Sequence, residues 1–248
     1  MIRKFMVKAV TAGALALSVS ATAAQAQIIA GSTLNFGGSV DLADAGAAGI
    51  VLDFNPQTIL STGPNTGSFA GITFGQTGTI SDFTAGTGAV AGIPLASFGG
   101  YTFSITNILP GTFSPAACSL PAAAGQTCTP PQLPGTTISP FNLVNQTATT
   151  STASFQLAGI VTQTSTGATA NYQGLFTAQF IGQNSLSYQQ VLAALSGGVG
   201  TPGLPGVSFS ATFTTGPSTV IPEPSTYALM AAGLAGIGFL ARRRRSTV

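Results

Sequence analysis

Side chains able to do acid–base or nucleophilic chemistry are scarce between residues 27 and 221. This stretch contains no Lys, Arg or His, and its only carboxylates are Asp41, Asp44, Asp53 and Asp82. A serine nucleophile would therefore lack the histidine or lysine base that normally activates it. Two aspartates can serve a glycosidase, but so small an inventory predicts neither an enzyme nor a bound cofactor.

The same aspartates are the candidates for holding a metal ion. Asp41, Asp44 and the segment 53–55 offer oxygen ligands of the kind that Ca²⁺ prefers. However, the chain has no EF-hand loop or Gly/Asp-rich repeat, and isolated aspartates often cap turns. We therefore predict no metal site and leave calcium binding as the open alternative.

Cys118 and Cys128 are the two cysteines of the chain, and they flank nine residues within a proline-rich segment. Because residues 1–26 have the pattern of an export signal and thiols of exported proteins tend to oxidise, we predict a disulfide that pins a surface loop. Two free, buried thiols are the alternative. A metal site is poorly supported because no His and no second Cys pair lies nearby.

The charges of the whole chain hide those of its central part. All seven cations lie near the two ends of the sequence: Arg3, Lys4, Lys8, Arg242, Arg243, Arg244 and Arg245. With four aspartates and no cation, residues 27–221 have a net charge of −4. They cannot make the Lys/Arg–phosphate contacts that dominate nucleic-acid affinity, and they lack a polybasic patch for anionic lipid. Nucleic acid is therefore not an expected partner.

Apolar residues recur at every second position over much of the chain, which is the period of a β-strand. The runs are Ile50–Phe54, Tyr101–Ile105, Tyr172–Phe180 and Val207–Phe213, with weaker ones at Leu34–Phe36, Phe69–Phe74, Phe141–Leu143 and Phe155–Val161. Alternation gives each strand one buried and one solvated face, as in antiparallel sheets. We predict an all-β domain of residues 27–219, an antiparallel β-sandwich or jelly-roll-like fold.

One segment, SYQQVLAALSGG, departs from the strand period. Its apolar residues have helical spacing: Tyr188, Val191, Leu192 and Leu195. Ser187 with Gln190 fits a capping box, and Gly197 fits the position after the helix end. We predict one short helix lying over the sheet.

Residues 1–26 show the order of a secretory signal peptide. Basic residues precede a short apolar stretch, and small residues lead to Ala24-Gln25-Ala26. The sequence predicts cleavage after Ala26, which leaves Gln27 as the new N-terminus. Signal peptidase and the Sec machinery are the expected partners.

Residues 220–248 combine three parts in a fixed order. Pro222-Glu223-Pro224 precedes an apolar run from Ser225 to Ala241, and four arginines follow. As a helix the run is about 25 Å long, at the low end of what spans a bilayer. The arginines favour a cytoplasmic C-terminus, and the prolines keep the motif extended and accessible to an enzyme.

This tail resembles the PEP-CTERM sorting signal of Gram-negative bacteria. The resemblance implies processing by an exosortase, a multi-pass membrane transpeptidase, with Pro222, Glu223 and Pro224 as the recognition motif. It implies a transmembrane segment at 226–241 and a basic retention cluster at 242–245. It also places the protein transiently in the inner membrane and then at the cell surface or in the extracellular matrix, because bearers of the signal are often linked to exopolysaccharide and biofilm.

The sequence as a whole therefore predicts an exported cell-surface or biofilm-matrix protein with a structural or adhesive role. A polysaccharide-binding module is the alternative, although Trp is absent and Tyr101, Tyr172 and Tyr188 occupy apolar-face positions. A membrane anchor without processing is the third possibility. Because no Lys blunts the strand edges, self-assembly by edge pairing is a further hypothesis.

Overall fold

The structure, a computed structural model, describes residues 27–44, 50–86, 88–130, 139–182, 185–195 and 203–216. Within these ranges the chain forms twelve β-strands and one α-helix. They are β1 (Thr33–Asp44), β2 (Ile50–Asp53), β3 (Thr58–Ser61), β4 (Thr77–Ile80), β5 (Phe83–Ala85), β6 (Gly88–Phe98), β7 (Tyr101–Ile108), β8 (Thr127–Cys128), β9 (Asn142–Asn145), β10 (Ser151–Gln163), β11 (Thr169–Phe180), α1 (Tyr188–Leu195) and β12 (Leu204–Thr215).

Eight of the strands form a closed antiparallel barrel. Their order around the ring is β11-β12-β1-β3-β4-β6-β7-β10, and β10 pairs again with β11. The β10–β11 pair is the longest in the sheet, with twelve residue pairs from Ser151↔Phe180 to Thr162↔Thr169. The prediction of an all-β antiparallel fold with one short helix is confirmed, and the prediction of a sandwich or jelly roll is wrong.

The physical reason for this error lies in the alternation itself. An antiparallel strand with one buried face shows the same period of two in an open sandwich and in a closed ring. The two folds differ in whether the sheet closes on itself. Here the sheet runs from β11 through β12, β1, β3, β4, β6 and β7 to β10, which pairs with β11. That long-range pairing leaves no mark on the local pattern.

The barrel has two distinct ends. At one end, which we call the terminal pole, β1 begins and β12 ends, and residues 27–32, 62–76, 99–100 and 164–168 form the surface there. The other end, the distal pole, carries α1 and the four strands outside the ring. There β2 pairs with β1 and β5, while β9 pairs with β10 and β8.

Aromatic rings fill the interior of the barrel. Phe36, on β1, is fully buried, and its ring centroid lies 4.9 Å from that of Phe213, 5.6 Å from that of Phe98 and 6.1 Å from that of Phe176. Most of these contacts are edge-on or tilted, the arrangements that aromatic pairs prefer. The described residues thus share one continuous hydrophobic core.

Two inward-facing glycines make room for these rings. Gly159 lies opposite Tyr172 in the register of β10 and β11, and a Cβ at Gly159 would lie 2.6 Å from the tyrosine ring. A Cβ at Gly174 would lie 2.7 Å from the Phe213 ring and 2.8 Å from Leu157. Because real Cβ contacts are wider than this, any larger residue at either position would displace the core.

The predicted run Phe69–Phe74 is not a strand, which corrects the sequence interpretation. Residues Gly67–Phe69 form a 3₁₀ helix, and turns follow it. Side chains supply the hydrogen bonds that a sheet would have given: the Asn65 amide donates to the Ile72 carbonyl at 2.7 Å, and the Ser68 N–H donates to the Ser32 hydroxyl at 2.8 Å. The bond between Asn65 and Ile72 is local, and local side-chain bonds of this kind compete with strand pairing.

The helix confirms its prediction. The Ser187 N–H donates to Gln190 Oε1 at 2.9 Å, and the Gln190 N–H donates to Ser187 Oγ at 3.4 Å, so the capping box is formed. Tyr188, Val191 and Leu195 are its buried residues. Gly197 lies outside the described residues.

The central ring of the core gives a first testable prediction. We expect Phe36→Ala to lower the free energy of unfolding by about 3–5 kcal/mol, because it leaves a cavity among four aromatic rings. Phe74→Ala is the matched control: the Phe74 side chain is 81% exposed, so the loss should stay within about 0.5 kcal/mol. Urea unfolding of the two variants measures the difference, and equal effects would contradict the described packing.

Two buried tyrosines differ in how their hydroxyl groups are satisfied. The Tyr188 hydroxyl donates to the Ala117 carbonyl at 2.7 Å. The Tyr172 hydroxyl is buried and has no hydrogen-bond partner among the described residues. Burial also raises the pKa of Tyr172 above its ordinary value, since removal from water disfavours the phenolate.

Replacing each tyrosine by phenylalanine should therefore have opposite effects. We expect Tyr172→Phe to raise the free energy of unfolding by about 1 kcal/mol, and Tyr188→Phe to lower it by a similar amount. Because burial raises the pKa of Tyr172 in the folded state, its ionisation does not affect stability below about pH 10, and it lowers the free energy of unfolding as the pH rises further. Tyr172→Phe should reduce this alkaline loss in denaturant titrations at several pH values. A less stable Tyr172→Phe protein would show that the hydroxyl does have a partner.

Candidate functional site at the terminal pole

Most residues predicted to direct the protein through the membrane lie outside the described residues. These are Ala24 and Ala26 at the predicted cleavage site, the Pro222-Glu223-Pro224 motif and the arginines 242–245. Gln27 is described and is exposed. Within the described ranges, no helix has the length and apolarity needed to cross a membrane, and the span predicted at 226–241 lies outside them.

The structure does show where the predicted signal peptide and the sorting tail join the barrel. Gly31 donates its backbone N–H to the Thr215 carbonyl at 2.8 Å, and Thr215 donates its N–H to the Ser32 carbonyl at 2.9 Å. The Thr215 hydroxyl donates to the Ile29 carbonyl at 2.7 Å and accepts from the Ser32 N–H at 2.9 Å. We call these four residues the terminal clamp. It holds the two ends of the folded part side by side.

The loop of residues 62–76, which we call the closing loop, covers the terminal pole beside this clamp. Phe69 is buried under Tyr101, with ring centroids 5.0 Å apart, and the Tyr101 hydroxyl donates to the Ser68 carbonyl at 2.9 Å. Ser68 Oγ accepts from the Ile29 N–H at 2.8 Å. The closing loop and the terminal clamp therefore form one hydrogen-bonded surface.

The sorting motif can lie only a short distance from this surface. Eight residues, 217–224, separate Gly216 from the apolar run that begins at Ser225. A fully extended chain spans about 3.3–3.6 Å per residue, so this connection reaches about 29 Å at most. A tail held in a membrane would keep the terminal pole close to that membrane.

The aspartates considered for metal binding lie toward the distal pole. Asp41 and Asp53 face each other in the register of β1 and β2. Asp41 Oδ1 accepts from the Gly206 N–H at 2.6 Å, and Asp82 Oδ1 accepts from the Phe54 N–H at 2.8 Å. The described residues contain no group of three or more His, Cys, Asp or Glu side chains that could hold a metal ion. In the structure Asp41 and Asp82 act as acceptors for backbone N–H groups.

The predicted disulfide between Cys118 and Cys128 is present, with a Cα–Cα distance of 5.2 Å. It joins the 3₁₀ helix Pro115–Ser119 to β8 at the distal pole. This loop supports α1, since the Leu120 carbonyl accepts from the Gln189 side chain at 2.9 Å. The disulfide therefore braces the platform on which the helix lies.

Beneath α1 lies a small apolar gap of about 20 Å³, lined among others by Phe141, Phe180 and Leu195. A gap of this size holds about one water molecule. It has the volume of a packing defect and is far too small for a sugar or a peptide.

The outer surface of β10, β11 and β12 carries rows of uncharged side chains, which we call the polar wall. The register of these strands aligns four rows: Thr152–Gln179–Ser208, Ser154–Thr177–Ser210, Gln156–Leu175–Thr212 and Ala158–Gln173–Thr214. Nearly all are hydroxyl or amide side chains, which donate and accept hydrogen bonds without charge. The three tyrosines weighed as sugar platforms are buried instead.

The sequence pattern does not reveal the terminal clamp or the closing loop, and it indicates the polar wall only in part. Gln173, Thr177 and Gln179 of the wall are the solvent-facing half of the alternation that predicts β11. The clamp has no such signal, since Ile29 and Thr215 are 186 residues apart. The alternation places Phe74 in a strand, which conceals its exposure.

Comparison with known proteins assigns the tail. No curated protein and no solved structure matches the chain. Residues 220–245 match the PEP-CTERM protein-sorting motif, which confirms the resemblance noted from the Pro-Glu-Pro, apolar and arginine segments. The motif marks an exported protein that is sorted by exosortase, a membrane enzyme. The chain is therefore identified as a protein bearing a PEP-CTERM sorting motif, carried on an eight-stranded antiparallel barrel.

Proposed function

We propose that this protein is a cell-surface or biofilm-matrix component with a structural or adhesive role and no catalytic activity. The observation that carries the proposal is the PEP-CTERM motif at residues 220–245. It is joined to a barrel whose interior is filled by aromatic side chains. Because side chains fill the interior, such a barrel is suited to contact other molecules through its outer surface.

The chemistry of the body supports a non-catalytic role. Residues 27–221 contain no His, Lys or Arg. They therefore lack the side chains that most often act as a general base or stabilise a negative charge in a transition state. Asp41 and Asp82 are engaged by backbone N–H groups. The remaining surface groups are mostly hydroxyls and amides, which suit contact with other surfaces.

The proposed route has three stages. Residues 1–26 direct export through the Sec machinery and are removed after Ala26 by signal peptidase. The apolar tail, with Arg242–Arg245 on the cytoplasmic side, then holds the body at the inner membrane. Exosortase cuts near Glu223, and the body passes to the cell surface or the matrix.

Closure of the barrel changes the basis for self-assembly. Among the described strands, only β5, with three residues, and β8, with two, pair on one side alone, although β4 pairs with just two residues of β6. Closed barrels leave little edge for pairing between molecules. An adhesive role would therefore use the outer faces of the strands instead of their edges.

The polar wall favours a second candidate, a module that binds neutral polysaccharide. Its rows repeat hydroxyl and amide groups across three strands, about 4.8 Å apart in the direction of hydrogen bonding. Such groups pair with sugar hydroxyls, and the absence of cations from residues 27–221 disfavours acidic polysaccharides, which would need charge neutralisation. Leu175, 45% exposed in the middle of the wall, offers an apolar contact for a sugar ring.

The motif gives a direct test of the main proposal. In the producing cells we expect the surface form of the native protein to lack residues 242–245. When both Pro222 and Pro224 are replaced by Ala, we expect the protein to keep its full-length tail and to stay in the inner membrane. The prolines matter because they hold the motif extended. Intact-mass analysis of membrane and surface fractions measures both outcomes.

The matched control for this test is Pro217→Ala, the same substitution outside residues 220–245. It should leave processing at the native level. If the native protein keeps all four arginines and stays in the membrane, it is an unprocessed anchor and the sorting route is wrong.

The second candidate predicts that mutation of the wall weakens binding to a neutral polysaccharide. Thr212→Ala with Thr214→Ala should lower affinity about thirtyfold, since each of the two lost hydrogen bonds is worth about 1 kcal/mol. Thr77→Ala with Thr79→Ala, on the exposed face of β4, is the matched control. A glycan array followed by titration calorimetry provides the measurement. Equal affinities for the two double variants, or no binding by the native protein, would remove this candidate.

A further inference from the structure

The two segments that direct this protein to the membrane leave the barrel from the same pole. The terminal clamp joins Gly31 to Thr215 through a backbone hydrogen bond of 2.8 Å. The predicted signal peptide ends at Ala26, shortly before Gly31, and the tail continues from Gly216. Whichever segment is in the membrane, it joins the barrel at the terminal pole.

The same pole carries two exposed apolar side chains. Phe74, in the closing loop, is 81% exposed, the highest value among the large hydrophobic residues described, and Ile29 is 58% exposed. Ile29 is bonded to the loop through Ser68 Oγ. An exposed phenylalanine has a large apolar surface that water solvates poorly.

The charged side chains lie away from the terminal pole. The segments that form the terminal pole, 27–32, 62–76, 99–100 and 164–168, contain no charged side chain. Asp41, Asp53 and Asp82 lie toward the distal pole, on β1, at the end of β2 and before β5. This arrangement keeps the acidic groups away from an anionic lipid surface and turns an uncharged surface toward it.

We propose that the terminal pole rests on the lipid surface while the tail is anchored, with the side chains of Phe74 and Ile29 in the membrane interface. The proposal rests on the anchored stage of the proposed function. Two apolar side chains bind a bilayer weakly by themselves. The short connection of residues 217–224 raises their effective concentration at the bilayer, so that weak contact becomes sufficient.

The chain contains no Trp, so a single introduced tryptophan reports its own surroundings without background. The experiment uses residues 27–248, the proposed form after removal of the signal peptide, in vesicles of phosphatidylethanolamine and phosphatidylglycerol that contain lipid brominated near the headgroup end of the acyl chains. The Phe74→Trp variant should show blue-shifted fluorescence that the brominated lipid quenches. Ile29→Trp provides a second probe, and near-UV circular dichroism checks that each variant is folded.

Leu120→Trp is the matched control, because Leu120 is 49% exposed but lies at the distal pole. Its emission should be that of tryptophan in water and should not be quenched. Flotation of the vesicles separates the two levels of the hypothesis. If the chain floats and neither pole variant is quenched more than Leu120→Trp, the pole contact is wrong while anchoring holds. If the chain does not float, the anchored stage is wrong and the pole proposal is overturned with it.

Discussion

The pairing of β1 with β12, the first and last described strands, is the constraint on which the rest of the structure depends. It closes the sheet into a ring of eight antiparallel strands. In such a ring, successive neighbours alternate in direction, so the first strand begins at the pole where its neighbour, the last strand, ends. Here those neighbours are β1 and β12, paired from Thr33↔Thr214 onward. The terminal clamp follows from this topology, and the bonds of Thr215 lock an arrangement that closure has already imposed.

Closure also determines what the two faces of each strand can do. The inner faces meet across a narrow barrel, where Phe36, Phe176 and Phe213 fill the space and Gly174 has to stay small. Chemistry that involves other molecules is left to the outside of the barrel and to its poles. The outside is uncharged over the polar wall, and the aspartates lie toward one end. A body of this kind interacts through shape, hydroxyls and amides more than through charge.

Local features of the structure could be predicted from the sequence, and features that depend on long-range pairing could not. The strand alternation, the capping box at Ser187 and the disulfide of Cys118 and Cys128 depend on residues at most a few positions apart, or on a single loop. Barrel closure depends on a register between whole strands, and the alternation alone wrongly predicts a sandwich. The prediction for Phe69–Phe74 fails for a related reason: Ser32, 36 residues away from Ser68, satisfies the loop backbone. The sorting tail is predictable because its three parts are contiguous in the sequence.

The arrangement of the poles has a consequence for release from the membrane. In the proposed anchored stage, the short connection keeps Phe74 and Ile29 near the bilayer, and even a weak contact persists because dissociation of the pole does not let the body diffuse away. The proposed cut near Glu223 would remove that constraint. The affinity of the pole then falls to that of two apolar side chains on an uncharged surface, which is too weak for lasting attachment. The net charge of −4 on residues 27–221 adds repulsion from anionic lipid. On this reasoning a single cut near the motif is enough to detach the body, and no further change in the fold is required.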